Sequence, residues 1–267
     1  MRSVMKRMSA VIGAGVLMLA FCSCGQPKEN RVFSAADLPG KVIGVQMGTT
    51  GDIYCSAYQN DGSDTIVERY TRSADAVQAL KQGRLDCVVI DEQPANVLVE
   101  EYPDLQILDD LFSEEEYAIC VNKGNLELLQ EIDQALADLI ADGTRDEIIS
   151  NYIGDDTKGK HPYVSPADAD HSKGKLMMAT HVAFEPYEYY EKEKATGIDV
   201  DLARAIGDRI GYEIDFFDIE FDAIIPAVTT HRADFGMAGM TVTEERKQEV
   251  DFSKPYATSR LVIITRK

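Results

Sequence analysis

The chain has 267 residues, of which 46 are acidic and 27 basic, giving a formal net charge of −19. That charge opposes nucleic acid and anionic lipid headgroups as partners. An apolar content of 45% excludes a disordered polar tail, and the length fits one large domain or two lobes of ordinary size.

Arg2, Lys6 and Arg7 open the sequence, and an uncharged apolar or small run follows from Met8 to Phe21. The run is short for a bilayer span and has the shape of an export signal. It ends at Phe21-Cys-Ser-Cys-Gly25, where small Ser23 and Gly25 flank Cys24. That favours Cys24 over Cys22 as the lipidated residue of a lipoprotein signal spanning 1–23, with a polar tether over 24–39. A plain secretory signal is the alternative. Because the charge opposes adsorption to a membrane, a lipid on Cys24 would do the anchoring.

Lys41 to Gln46 reads as a strand. Ser73 is expected to cap a helix running to Gln82, with Gly83 as its stop. Asp86 to Ile90 is a strand, and Leu126, Leu129, Ile132, Leu136 and Ile140 mark a helix ended by Gly143. A short helix is expected over 146–152. Residues 154–174 are rich in Asp, Lys, Gly, Pro and Ser and form a linker. Lys175 to Ala179 restarts as a strand, Ile198 to Ile206 is one helix face, and 212–217 is an edge-like strand. Asp222 is expected to cap a helix to Thr230, before a strand over 233–237. Alternating strands and helices predict α/β lobes. The segment 75–86 resembles 222–234, which suggests two similar lobes. Cys55, Cys87 and Cys120 fit no metal spacing and are expected as buried thiols. A Cys87–Cys120 bridge requires neighbouring strands.

A small carboxylate asks for a cation and N–H donors, an ammonium for an acidic acceptor, and a ligand side chain for partly apolar walls. Arg246 is the candidate for the carboxylate, with Thr243 placed to cap the helix that Arg246 begins. Thr49, Thr50 and Gly51 lie between a strand and a helix. Alone they read as a turn, because the lysine and longer glycine pattern of a phosphate loop are missing. Asp91 closes a buried-looking strand, a position that points into the ligand crevice of an α/β lobe; Glu92 competes with it. Phe184 and Phe221 are candidate walls. The sequence has no HExxH, GxSxG or P-loop pattern, and His161, His171, His181 and His231 lack metal spacing. No catalysis, metal or cofactor is expected.

These residues fall in motifs: Val182–Glu188 with Phe184, Pro186 and Tyr187; Gly197–Leu202; Gly239–Arg246 followed by Val250–Ser253 and Pro255-Tyr256; Gly48–Gly51; Val88–Asp91; and Tyr117–Ile119, Lys123–Asn125 and Ala141–Thr144. Across nearly all of 38–267 they resemble the bacterial amino-acid-binding proteins that feed ABC importers (extracellular solute-binding family 3, periplasmic-binding-protein type 2 fold). The resemblance implies a two-lobed α/β clamshell. Arg246, Thr241 and Thr50 would hold the ligand carboxylate, Asp91 and the Gly239 carbonyl its ammonium, with Phe184 and Phe221 flanking the side chain. Relatives often carry Asp or Asn where this chain has His181, so a polar or neutral ligand is expected ahead of a basic one.

Measured against that family the lobes come in reversed order, as in a circular permutation. Residues 40–115 resemble its lobe 2 (the ammonium side), 116–153 the closing segment of lobe 1, and 175–267 the main part of lobe 1 with a terminal hinge strand. Only Glu114 to Val121 would then link the lobes covalently, with Arg260–Thr265 as a free strand docked without a covalent bond onto the lobe that begins near Lys41; truncation of a tandem protein is the alternative. The expected partners are a free amino acid and an importer permease, for a monomer lipid-anchored on the extracytoplasmic face. Two rivals are a ligand-sensing domain and a cyclohexadienyl dehydratase-like enzyme using His181 or Glu185 as its acid.

Overall fold

The computed structural model describes residues 29–267 except Asp61, Leu111 and Asp155. The expected signal 1–23 and Cys24 lie outside the described residues. Lobe 2 contains β1 (Val42–Gln46), α1 (Thr50–Ser56), β2 (Ile66–Tyr70), α2 (Ser73–Lys81), β3 (Cys87–Asp91), α3 (Glu92–Glu101), β4 (Leu105–Ile107) and β5 (Ser113–Tyr117). Lobe 1 contains β6 (Cys120–Asn122), α4 (Leu126–Ala141), α5 (Thr144–Ile153), β7 (Lys175–Thr180), β8 (Tyr189–Glu191), β9 (Lys194–Thr196), α6 (Ile198–Ile210), β10 (Glu213–Asp218), α7 (Ile224–Thr229), β11 (Phe235–Gly236), α8 (Arg246–Glu249) and β12 (Val250–Phe252). The last strand, β13 (Ala257–Arg266), returns to lobe 2.

Two α/β sheets result. One runs β2-β1-β3-β13-β4, with β5 also paired to β13; the other runs β10-β7-β11-β6-β12. β1, β2 and β3 are parallel, and so are β7, β10 and β11. Ile43, Val45, Val88 and Val89 are all buried, the near-continuous apolar pattern of parallel strands covered by helices. The repeat noted in the sequence maps onto α2–β3 in one sheet and α7–β11 in the other. β10 is an edge strand, as its alternation suggested.

Several expectations need correction. Ser73 is the first residue of α2 rather than its cap, and its hydroxyl donates to Gln46 Oε1 at 2.7 Å. Asp222 does not cap α7, because Phe221–Ala223 turns as a 3-10 helix first. The described part of the expected tether is not free: Val32 and Leu38 are apolar, fully buried, and pack with Ile43 and Val45. Cys87 and Cys120 sit in different sheets and different core clusters, so no bridge joins them; with Cys55 they are buried free thiols.

The terminal strand docks onto the lobe that begins near Lys41, as expected, but as an interior strand joined to lobe 1 through 253–256, so the expectation of a single covalent link at Glu114 to Val121 is corrected. Leu261–Ile264 pair with β3 on one side, while Ala257–Leu261 pair with β5 and Ile264–Arg266 with β4. Its apolar run lets it fill a sheet covered on both faces. The chain therefore passes between the sheets at two adjacent places, 118–119 and 253–256. The passages are bonded to each other: Ser253 N donates to Ile119 O at 2.9 Å, Ile119 N to Ser253 Oγ at 3.0 Å, and Tyr256 N to Tyr117 O at 2.9 Å.

Candidate functional site

A nearly closed cleft, with a water-accessible volume of about 10 Å³, lies between the lobes. Nine of the ten ligand-site residues proposed from sequence line it: Thr49, Thr50, Asp91, His181, Phe184, Phe221, Gly239, Thr241 and Arg246. Gly51 does not. A Cβ there would stand 3.2 Å from Val89 O, so glycine lets α1 press against β3.

Lobe 2 contributes strand ends and the start of α1, where α/β sheets present ligand groups. Thr49 is the N-cap of α1; its hydroxyl accepts from Asp52 N at 3.4 Å and donates to Gln46 O at 2.8 Å. Asp91 ends β3, and its Oδ1 accepts a short hydrogen bond from the Tyr117 hydroxyl. Burial and then the negative charge of Glu115 push the Asp91 carboxyl up to about 7, against the hydrogen bonds from Tyr117 and Ser259.

Lobe 1 contributes the cation. Arg246 is buried, and Thr243 Oγ1 accepts from its backbone N at 3.1 Å, although Glu245 and not Thr243 stands at the N-cap of α8. Its guanidinium donates to Thr241 O at 2.6 Å and, across the cleft, to Gly48 O at 2.9 Å; it lies 5.4 Å from the Phe221 ring centroid. Burial pulls the Arg246 pKa down, while Glu115 and Asp91 oppose that shift. Among the described residues no carboxylate forms an ion pair with it within 4.0 Å. It is a buried fork with acceptors only from the backbone, suited to a bidentate anion.

Gly239 sits at φ +53, and a Cβ there would meet the Phe184 ring at 2.9 Å. Its N–H donates to Asp199 Oδ2 at 2.7 Å, and that oxygen also accepts from the Tyr256 hydroxyl at 2.8 Å. Asp199 thereby fixes the loop that carries the Gly239 carbonyl. Asp199 shares its burial with Glu188: burial pushes Asp199 up to about 7, and burial plus the Asp199 charge pushes Glu188 well above its ordinary range.

Four lining or bordering groups escaped the sequence reading: Gln46, Ala238, Glu188 and Glu115. Gln46 ends β1 as Asp91 ends β3, a parallel that strand counting offered. Glu188 lay inside the aromatic loop motif and passed as part of it. Glu115 hid in the acidic run Glu114–Glu116, although strand alternation with Tyr117 puts it on the inward face; Glu114 and Glu116 are exposed while Glu115 is buried.

His181 Nδ1 lies 3.0 Å from the Ile219 carbonyl oxygen, to which it donates. Nε2 is buried and has no partner in the protein.

The cleft thus brings the Arg246 guanidinium and the Asp91 carboxyl together from the two sheets. Residues 176–267 match the bacterial extracellular solute-binding proteins, family 3. The arginine-binding extracellular protein ArtP of Bacillus subtilis (strain 168) is 39% identical over 103 residues, covering 39% of this chain and 40% of ArtP. A probable histidine-binding protein of Campylobacter jejuni is 36% identical over 85 residues, 32% of this chain and 33% of its own length. The arginine-bound form of domain 1 from TmArgBP is 36% identical, with a TM-score of 0.32 over 36% of this chain and 82% of that one. The chain thus spans about two-fifths or less of the curated relatives named here, which are described as binding proteins. Among the described residues no helix is long and apolar enough to cross a membrane.

Proposed function

We propose that the protein captures a free amino acid between its lobes and delivers it to an ABC importer, anchored through a lipid on Cys24 at the extracytoplasmic face. The observation that carries this reading is the convergence of Arg246 and Thr241 from one lobe with Thr50 and Asp91 from the other on one cleft. Arg246 with the two hydroxyls suits a carboxylate, and Asp91 with the Gly239 carbonyl suits an ammonium. The reversed lobe order is carried with this proposal. Calorimetric titration with the common amino acids and cystine tests it: at least one should bind, with a micromolar affinity corresponding to about −8 kcal/mol. Binding by none overturns the reading. Turnover of prephenate or arogenate would favour the enzyme instead.

A second reading concerns the side chain. The Glu188 carboxyl and His181 Nε2 line or border the cleft with no hydrogen-bond partner in the protein, and the carbonyl oxygen of that carboxyl can accept. A donor-rich side chain fits them, which readmits basic ligands beside the polar ones expected from His181. The names of the arginine- and histidine-binding relatives agree with this.

The pH dependence follows from Asp91. Its raised pKa means that the folded chain holds this proton more tightly than the unfolded chain. Its contribution to stability is greatest in acid and declines as pH rises from the ordinary carboxylate range through about 7. Ammonium binding needs the ionised form, so affinity should fall as pH is lowered from 8 to 6. Asp91→Asn should weaken binding and flatten that profile. A profile equally steep in the variant would remove Asp91 from the ammonium role.

A further inference from the structure

Glu115 is the buried carboxylate that the amino-acid reading leaves unused. It stands on β5 beside the inter-lobe passage and is 4% exposed. Its Oε2 accepts from the Thr50 hydroxyl at 2.7 Å and, through a shorter bond, from the Thr241 hydroxyl. Thr50 belongs to lobe 2 and Thr241 to lobe 1. One side-chain carboxylate therefore takes a donor from each jaw, beside the Arg246 guanidinium whose charge it supports. Its other oxygen, Oε1, is buried without a hydrogen-bond partner.

These two hydroxyls are the ones assigned above to the ligand carboxylate. A hydroxyl has one proton to donate, so each threonine can serve Glu115 or the ligand but not both. Glu115 also has somewhere to go. With Thr241 it lines a separate groove on the outer side of the hinge, where Arg260 offers a cation, now paired with Glu92.

We propose that Glu115 is an internal stand-in for the ligand carboxylate. It holds the empty cleft shut through Thr50 and Thr241 and must turn out before an amino acid takes those hydroxyls. A ligand then binds against a built-in competitor, and its apparent affinity is reduced by the fraction of molecules in which Glu115 occupies the site. The idea rests on the amino-acid reading of the cleft.

The test uses Glu115→Ala in two measurements. Small-angle scattering of ligand-free protein should give a larger radius of gyration for the variant than for the parent, because the clasp between jaws is gone. Calorimetry with L-arginine, L-histidine and L-glutamine should give about tenfold or more tighter binding of whichever the parent accepts, equivalent to about 1.4 kcal/mol. An unchanged radius overturns the clasp. A larger radius with equal or weaker binding overturns the competition and makes Glu115 an orienter of the two hydroxyls. If neither protein binds any amino acid, the function reading falls and scattering alone judges the clasp. Glu115→Gln keeps the volume without the charge and provides the same readouts should the alanine variant not fold.

Discussion

Arg246→Ala is expected to weaken amino-acid binding by roughly 2–5 kcal/mol, about 30-fold or more. The guanidinium is buried, two of its N–H groups are spent on Thr241 O and Gly48 O, and the rest of the fork faces the cleft with no carboxylate ion-paired to it. A ligand carboxylate would supply that missing pair in a site largely withdrawn from water, where a charge-assisted hydrogen bond is at its strongest. Arg246→Lys keeps a positive charge beside Glu115 and Asp91 but loses the planar fork, so it should recover only part of the affinity. Both variants are to be checked by circular dichroism for native secondary structure and then titrated. Parental affinity in the alanine variant would remove Arg246 from the site.

Deleting residues 258–267 is expected to abolish folding of lobe 2. β13 is interior to its sheet, and Leu261, Val262, Ile263 and Ile264 are each at most 3% exposed. Burying one such side chain contributes about 1.5–3 kcal/mol, and a domain's whole net stability is only about 5–15 kcal/mol. Losing four of them, with the ladders to β3, β4 and β5, exceeds that margin. The buried Arg266 goes too, and with it the bonds to Leu80 O at 2.8 Å and Leu85 O at 2.7 Å that tie β13 to the end of α2. Loss of the cooperative thermal transition and reduced strand signal would show it. A milder probe, Ile264→Ala, should cost about 2–5 kcal/mol and lower the melting temperature. A truncated protein that melts like the parent would mean that β13 is not structural.

Much of this was legible because strand ends and loop motifs carry local signals. Thr50, Asp91, Thr241 and Arg246 each sit where a short pattern breaks from apolar to polar, and the two-sheet alternation follows from the order of periodic segments. What stayed hidden depends on pairing between distant parts. The lobe that β13 joins was expected, but an apolar run reads alike at a sheet's edge or interior, and only its register against β3, β4 and β5 shows it to be interior. Cys87 and Cys120 look alike in sequence, yet a sheet boundary separates them. Val32 and Leu38 are two apolar residues in a polar stretch, too few to announce that the segment packs. Glu115 needed both the inward phase of β5 and the arrival of Thr241 from 126 residues away.

The paired passages at 118–119 and 253–256 have a mechanical consequence. Tyr117 and Cys120 on one are matched to Ala257 and Phe252 on the other, with hydrogen bonds between them along the way. Two strands stitched edge to edge act like a leaf spring: soft to flexing across the ribbon, stiff to shear within it, because sliding one past the other would break the shared register. Under the proposed function, jaws hinged on such a ribbon would return along one arc, bringing an arginine and a glycine carbonyl 198 residues apart back to hydrogen-bond distance.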